Sequence, residues 1–98
     1  MTREELEARW FKLTRKEMPA VAGERGWPVR FDHCFQRILL DNVCGRPWRE
    51  AIKAPAYRNA SDDLLAKAIA LGDAALENEV DLGELNRHSL RLRGKYRT

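Results

Sequence analysis

The sequence predicts an all-α protein, a compact bundle of four main helices plus one short helix. Three observations carry that reading. Apolar residues recur at spacings of three and four through most of the chain, which stacks them along one face of an α-helix. Capping residues stand just before these runs, and glycine or proline just after them. No segment reads as a strand pair, and the chain shows neither an internal repeat nor a low-complexity stretch.

The first helix is expected to begin at residue 3, because Thr2-Arg3-Glu4-Glu5 fits a capping box in which Thr2 serves an early amide and Glu5 reaches back. Leu6, Trp10 and Leu13, with Phe11 beside them, form its apolar stripe, and Glu5 and Arg9 are placed to pair across one turn on the wet side. Pro19 disfavours helical geometry at Met18, so the segment should end or kink there, with Ala20-Val21-Ala22 as a further short turn. Residues 23–28 then form a loop, in which Trp27 is expected to fold back over the core.

The central helix is Phe31–Gly45. Phe31, Phe35, Ile38, Leu39 and Val43 give it a face to bury, Asp32 is placed to cap its first turn, and Gly45 follows its last apolar residue where a left-handed stop costs least. Pro47 suits a first helical position, so residues 48–53 should form the short helix, closed off by Pro55. Residues 54–60 read as an ordered linker. Ser61 caps a long helix carrying Leu64, Leu65, Ala68, Ile69, Leu71, Ala75 and Leu76, whose alanines allow close approach to a neighbour. The last helix starts at Asp81-Leu82-Gly83-Glu84, buries Leu82, Leu85, Ser89 and Leu92, and ends at Gly94.

Ninety-eight residues make one domain, 1–98, able to bury somewhat over ~60% of the surface its unfolded chain exposes. No apolar run approaches the ~20 residues of a membrane span, and the N-terminus opens on an acidic amphipathic pattern, so a soluble cytoplasmic protein without a membrane partner is expected, as a monomer or small homo-oligomer. Cys34 and Cys44 lie ten residues apart on one helix. That is about 15 Å along its axis, beyond the ~7 Å reach of a disulfide, so both should be free thiols.

Charge is unevenly spread within the net +3. Residues 1–60 carry twelve Lys and Arg against eight Asp and Glu, residues 61–86 one against seven, and residues 87–98 five against none. A basic end preceded by an acidic helix fits a surface for nucleic acid or an acidic protein, and it equally fits complementarity between neighbouring helices. On the binding reading, Arg87, Arg91, Arg93, Lys95, Tyr96 and Arg97 supply phosphate contacts with an aromatic between them, and Arg46 and Arg49 extend the patch. A helix-turn-helix is disfavoured, since Asp41 stands where that motif wants a small residue and Pro55 cuts the second helix too short to read a groove.

Chemistry would have to come from the polar positions of the central helix. His33, Arg37, Asp41 and Cys44 fall on one stripe beside the core, and the helix-end dipole would favour a thiolate at Cys34. The competing reading makes Arg37–Asp41 an ordinary pair one turn apart, His33 a surface residue and both cysteines small core fillers. His33 and Cys34 are adjacent, so they point about 100° apart and need a third element to act as base and nucleophile. Cys34, Cys44, His33 and His88 lack zinc-ligand spacing, the six glycines are scattered singly, and the two serines serve a cap and a helix face. No metal or cofactor is therefore expected.

The run Gly26-Trp27-Pro28-Val29-Arg30-Phe31-Asp32-His33-Cys34-Phe35-Gln36-Arg37-Ile38-Leu39-Leu40-Asp41, with Pro55-Ala56-Tyr57 and Leu85-Asn86-Arg87-His88-Ser89-Leu90, resembles a family of small, largely uncharacterised bacterial all-helical proteins. Some of them are labelled as GNAT-type acetyltransferases. The resemblance covers most of the chain and implies that such a transferase label is open to it. The chain departs from that enzyme pattern in being too short, lacking the strands, and having no Gln/Arg-x-x-Gly-x-Gly/Ala loop for acetyl-CoA pyrophosphate, so no catalytic residues carry over. Two functions stay in view: a non-enzymatic binding or regulatory protein using its basic C-terminal end, and a small transferase-like enzyme or enzyme accessory using the His33, Cys34 and Arg37 region.

Overall fold

Thr2 opens the fold with the reciprocal bonds that the sequence predicts, its hydroxyl accepting from the Glu5 amide while the Glu5 carboxylate accepts from the Thr2 amide at 2.9 Å. A computed structural model describes residues 1–94. Among these the elements are α1 (Arg3–Lys12), a π-helical turn (Leu13–Glu17), α2 (Met18–Ala22), α3 (Asp32–Cys44), α4 (Trp48–Ala51), α5 (Ala56–Asn59), α6 (Asp62–Leu76) and α7 (Leu82–Leu92), with no strand. The all-α bundle is as predicted. Two single-turn helices, α4 and α5, stand where one short helix and a linker were expected.

Pro19 neither ends nor sharply breaks the first helix. The chain widens into a π turn just ahead of it, with the Met18 amide bonding back to the Leu13 carbonyl, and helix continues to Ala22. Thr14 has no exposed surface within that turn, where its hydroxyl donates to the Trp10 carbonyl at 2.9 Å and accepts from the Gln36 side chain of α3 at 3.0 Å. The expected Glu5–Arg9 pair does not form, because Glu5 is held by its cap. Arg9 instead pairs with Glu17 across the π turn at 2.6 Å and with Asp73 on α6.

α3 lies at the centre, packed against the π turn, α2, α4, α6 and α7. Phe35, Ile38, Leu39 and Leu40 are all buried. Phe31 is the exception to the predicted stripe: it is 66% exposed, because it precedes the helix in extended backbone, where helical spacing no longer governs direction. Asp32 is the first helical residue and no cap, its carboxylate accepting from the His33 amide at 2.8 Å. Gly45 does close the helix, with φ of +72°. Trp27 covers the α3 start, edge-on to Phe35 at a centroid distance of 5.7 Å.

Ser61 and Asp81 cap α6 and α7, accepting from the Leu64 and Gly83 amides. The buried face of α6 is built largely from small residues, Ala68, Gly72 and Ala75, and it packs on α1, the π turn and α3. Gly72 marks the closest approach: a Cβ there would lie 2.5 Å from Leu13 Cδ2 and 3.1 Å from Leu39 Cδ1. Both leucines are fully buried in a close-packed core, so a shift of either disturbs its neighbours. Gly72→Ala should therefore destabilise the protein by about 1 kcal/mol, overpacking of ~1–3 kcal/mol outweighing the ~1 kcal/mol that alanine gains in a helix. Urea unfolding measures this, and a more stable variant would show that the seam has slack.

Candidate functional site

α3 carries its polar stripe from solvent into the core. The His33 side chain is 75% exposed, Arg37 is half-buried and Asp41 has 0% exposure. The predicted Arg37–Asp41 pair is replaced by partners from α7, from Arg93 just beyond it and from α4. Asp41 accepts from Arg93 Nε at 2.6 Å and Nη2 at 3.0 Å, from the Ser89 hydroxyl at 2.7 Å, and from the Trp48 backbone amide at 2.8 Å. Four donors around one carboxylate compensate a burial that would otherwise be prohibitive. Hydrogen bonding to Asp41 raises the Arg93 pKa above its already high ordinary value, against the opposing effect of desolvation.

Arg37 turns the other way along the same seam. Its Nη1 donates to Ser89 Oγ and its Nη2 to Asn86 Oδ1, each at 2.8 Å. Asn42 extends the seam, donating to the Ile38 and Leu85 carbonyls and sharing a 2.9 Å hydrogen bond with the His88 ring.

Beside this seam opens a cleft of about 660 Å³, within the range of small-ligand sites. Trp10 and Leu40, 1% and 2% exposed, form its floor. Arg37, Gln36 and His33 of α3 line it together with Phe11 of α1 and Tyr57 of α5. Trp48 and Arg49 of α4 close one end, Arg15 of the π turn stands at the rim, and Arg93 reaches in from the end of α7. Pro55 and its neighbours complete the lining, which among the described residues includes no carboxylate. Several of its groups are already stacked: Phe11 meets Tyr57 edge-on at 4.8 Å, and the Arg15 and Arg49 guanidinium groups lie 4.0 and 5.3 Å from the Phe11 and Trp48 ring centres. Arg3 fixes the α5 side of the cleft, donating to the Tyr57 and Arg58 carbonyls while pairing with Asp62 and Glu7.

Of the residues singled out from sequence, the cleft brings together His33, Arg37, Arg49 and Arg93. Arg46, exposed after α3, and Arg87 and Arg91 of α7 lie outside its lining, as do Cys34, Asp41 and Cys44. Arg87 is engaged by Glu84. Arg93, expected as a surface phosphate contact, has its Nε and part of Nη2 committed to Asp41. Lys95, Tyr96 and Arg97 lie outside the described residues. Sequence reasoning missed Arg15, Trp10, Phe11 and Gln36 as site residues; the Phe11–Arg15 spacing of one helical turn was the available signal.

Among the described residues, no hydrogen bond joins a histidine to a thiol. His33 stacks on Phe31 with nearly parallel rings and lies 3.7 Å from Asp32, away from any thiol contact. Both cysteines are free and half-buried, and burial, reinforced by the Asp41 charge and opposed by Arg46, raises the Cys44 pKa. Among the described residues no group of three or more His, Cys, Asp and Glu side chains is arranged to hold a metal, and no helix is long and apolar enough to cross a membrane. No family model matches the chain, and neither a curated protein nor a solved structure matches it significantly.

Two outcomes follow from this geometry. Asp41→Ala leaves Arg93, Ser89 and the Trp48 amide without their acceptor and should cost about 3–5 kcal/mol in chemical unfolding, far more than a surface charge. A loss below about 1 kcal/mol would mean water replaces the carboxylate freely. The raised Cys44 pKa lowers its thiolate fraction, so alkylation near pH 8 should run slower at Cys44 than at a free model thiol. Peptide-resolved mass spectrometry reads this directly, and a faster rate would contradict it.

Proposed function

We propose that the protein is a non-enzymatic binding protein for single-stranded nucleic acid. The observation that carries this reading is the pairing, in one cleft, of arginines with aromatic side chains, with no lining carboxylate among the described residues. Cations along a groove take phosphates, and aromatic rings accept unstacked bases of any sequence. A duplex offers its bases only through grooves, and α4, which carries Trp48 and Arg49, has four residues, too few to read one. Arg46, Arg87, Arg91, Lys95 and Arg97 are assigned to steering the strand by charge, and Tyr96 to stacking on a base.

The enzyme reading has less support, since His33 and the cysteines form no base–nucleophile contact and Cys44 is held toward its protonated form. Fluorescence anisotropy with a labelled single strand tests the proposal. Affinity should fall as salt rises from about 50 to 200 mM, with a logarithmic slope of about −0.7 for each phosphate neutralised. Trp48→Ala should weaken binding by about 1–3 kcal/mol, the worth of one stacked base. No binding at low salt, or affinity indifferent to salt, defeats the reading.

A further inference from the structure

Five arginines among the described residues are half-buried: Arg3, Arg9, Arg37, Arg87 and Arg93. Four of them face carboxylates, of Glu7 and Asp62, of Glu17 and Asp73, of Glu84, and of Asp41. Arg37 alone of these five has only neutral partners, the Ser89 hydroxyl and the Asn86 amide oxygen. Asp41 is one hydroxyl away through Ser89, but Arg93 already matches its charge. A half-desolvated cation is thus left with a surplus positive charge in a cleft that has no lining carboxylate among the described residues.

The fork is also pre-oriented. A guanidinium has five N–H donors, and Ser89 and Asn86 take two of those on Arg37, holding its plane while the others stay available. Arg93 is fixed beside it by Asp41, with Nη1 uncommitted to that carboxylate. Two immobilised arginines in a recess suit a compact anion with several oxygens. A phosphate monoester supplies three terminal oxygens and a charge near −2, whereas a diester inside a strand is flanked by sugar on both sides and has only one charge. Trp48 and Tyr57 line the same cleft and supply planar surface for the adjoining base.

We infer that the cleft is a subsite for a terminal nucleotide bearing a free monophosphate, with the phosphate on Arg37 and the base between Trp48 and Tyr57. This rests on the nucleic-acid reading for the body of the strand, while the terminal nucleotide is recognised by the cleft itself.

The experiment compares one short oligonucleotide in 5′-phosphorylated, 3′-phosphorylated and unphosphorylated forms, together with a free nucleoside 5′-monophosphate and inorganic phosphate. One phosphorylated end should bind on the order of tenfold tighter than the unphosphorylated strand, and the nucleoside monophosphate should compete where inorganic phosphate does so only weakly. Arg37→Gln should weaken binding of the phosphorylated end by more than it weakens binding of the unphosphorylated strand, so that the preference between the two collapses toward equality. Because Arg37 also braces α7, a nuclear magnetic resonance titration of the unmodified protein provides a second readout. The nucleoside monophosphate should shift the indole signals of Trp10 and Trp48 and spare Trp27, which lies outside this cleft. Equal affinity for all three strands, or shifts confined to Trp27, overturns the inference and leaves the nucleic-acid reading standing. Binding of the monophosphate without any strand supports the cleft assignment and removes the nucleic-acid reading.

Discussion

The carboxylate of Asp41, closed off from water, is the interaction on which the rest of the structure depends. An unmatched anion in that position would be intolerable, so the chain has to bring donors to it, and those donors come from Arg93, Ser89 and the Trp48 amide. Each donor fixes something. Ser89 sets the register of α7 on α3, Arg93 secures the end of α7, and the Trp48 amide seats α4 above the end of α3. Apolar packing alone would let these helices slide, because neighbouring apolar contacts differ little in energy. A carboxylate with directional partners admits one arrangement.

The cleft is a by-product of that arrangement and takes its character from it. α4 and the end of α7 are held at its margin by Asp41, while Arg3 holds the α5 side by its hydrogen bonds to the Tyr57 and Arg58 carbonyls. The lining residues therefore sit on short elements that have little stability of their own and borrow rigidity from the core. Charge follows the same division. Arg93 is balanced by Asp41, Arg15 is partly balanced by Asp32 at 3.6 Å, and Arg37 and Arg49 make no ion pair among the described residues.

Local features were legible in the sequence and long-range polar ones were not. The Thr2 capping box, the Ser61 and Asp81 caps and the Gly45 stop each depend on residues within a few positions of one another. The stripe Leu6, Trp10, Leu13 and the core of α3 were visible because helical periodicity is local as well. Arg37 and Asp41, one turn apart, looked like partners, but their actual partners lie 48–52 residues away, apart from the Trp48 amide at 7, and nothing in spacing announces them. Phe31 misled by belonging to the apolar rhythm while standing just outside the helix. The cleft was half-legible: Arg37 and Arg49 were singled out by charge, whereas Trp10 and Phe11 read as core, which Trp10 is.

The π turn at Leu13–Glu17 bears on how this helix can change in length. A hydrogen bond that spans five residues in place of four accommodates one surplus amino acid. Trimming a single position there would let the ladder close as ordinary α-helix, with Trp10 on one side and Met18 on the other keeping their facing. The same excision anywhere else along residues 3–22 would swing everything beyond it by about 100°. A one-residue deletion in this segment is therefore accommodated best within the π turn, the turn that carries Arg15.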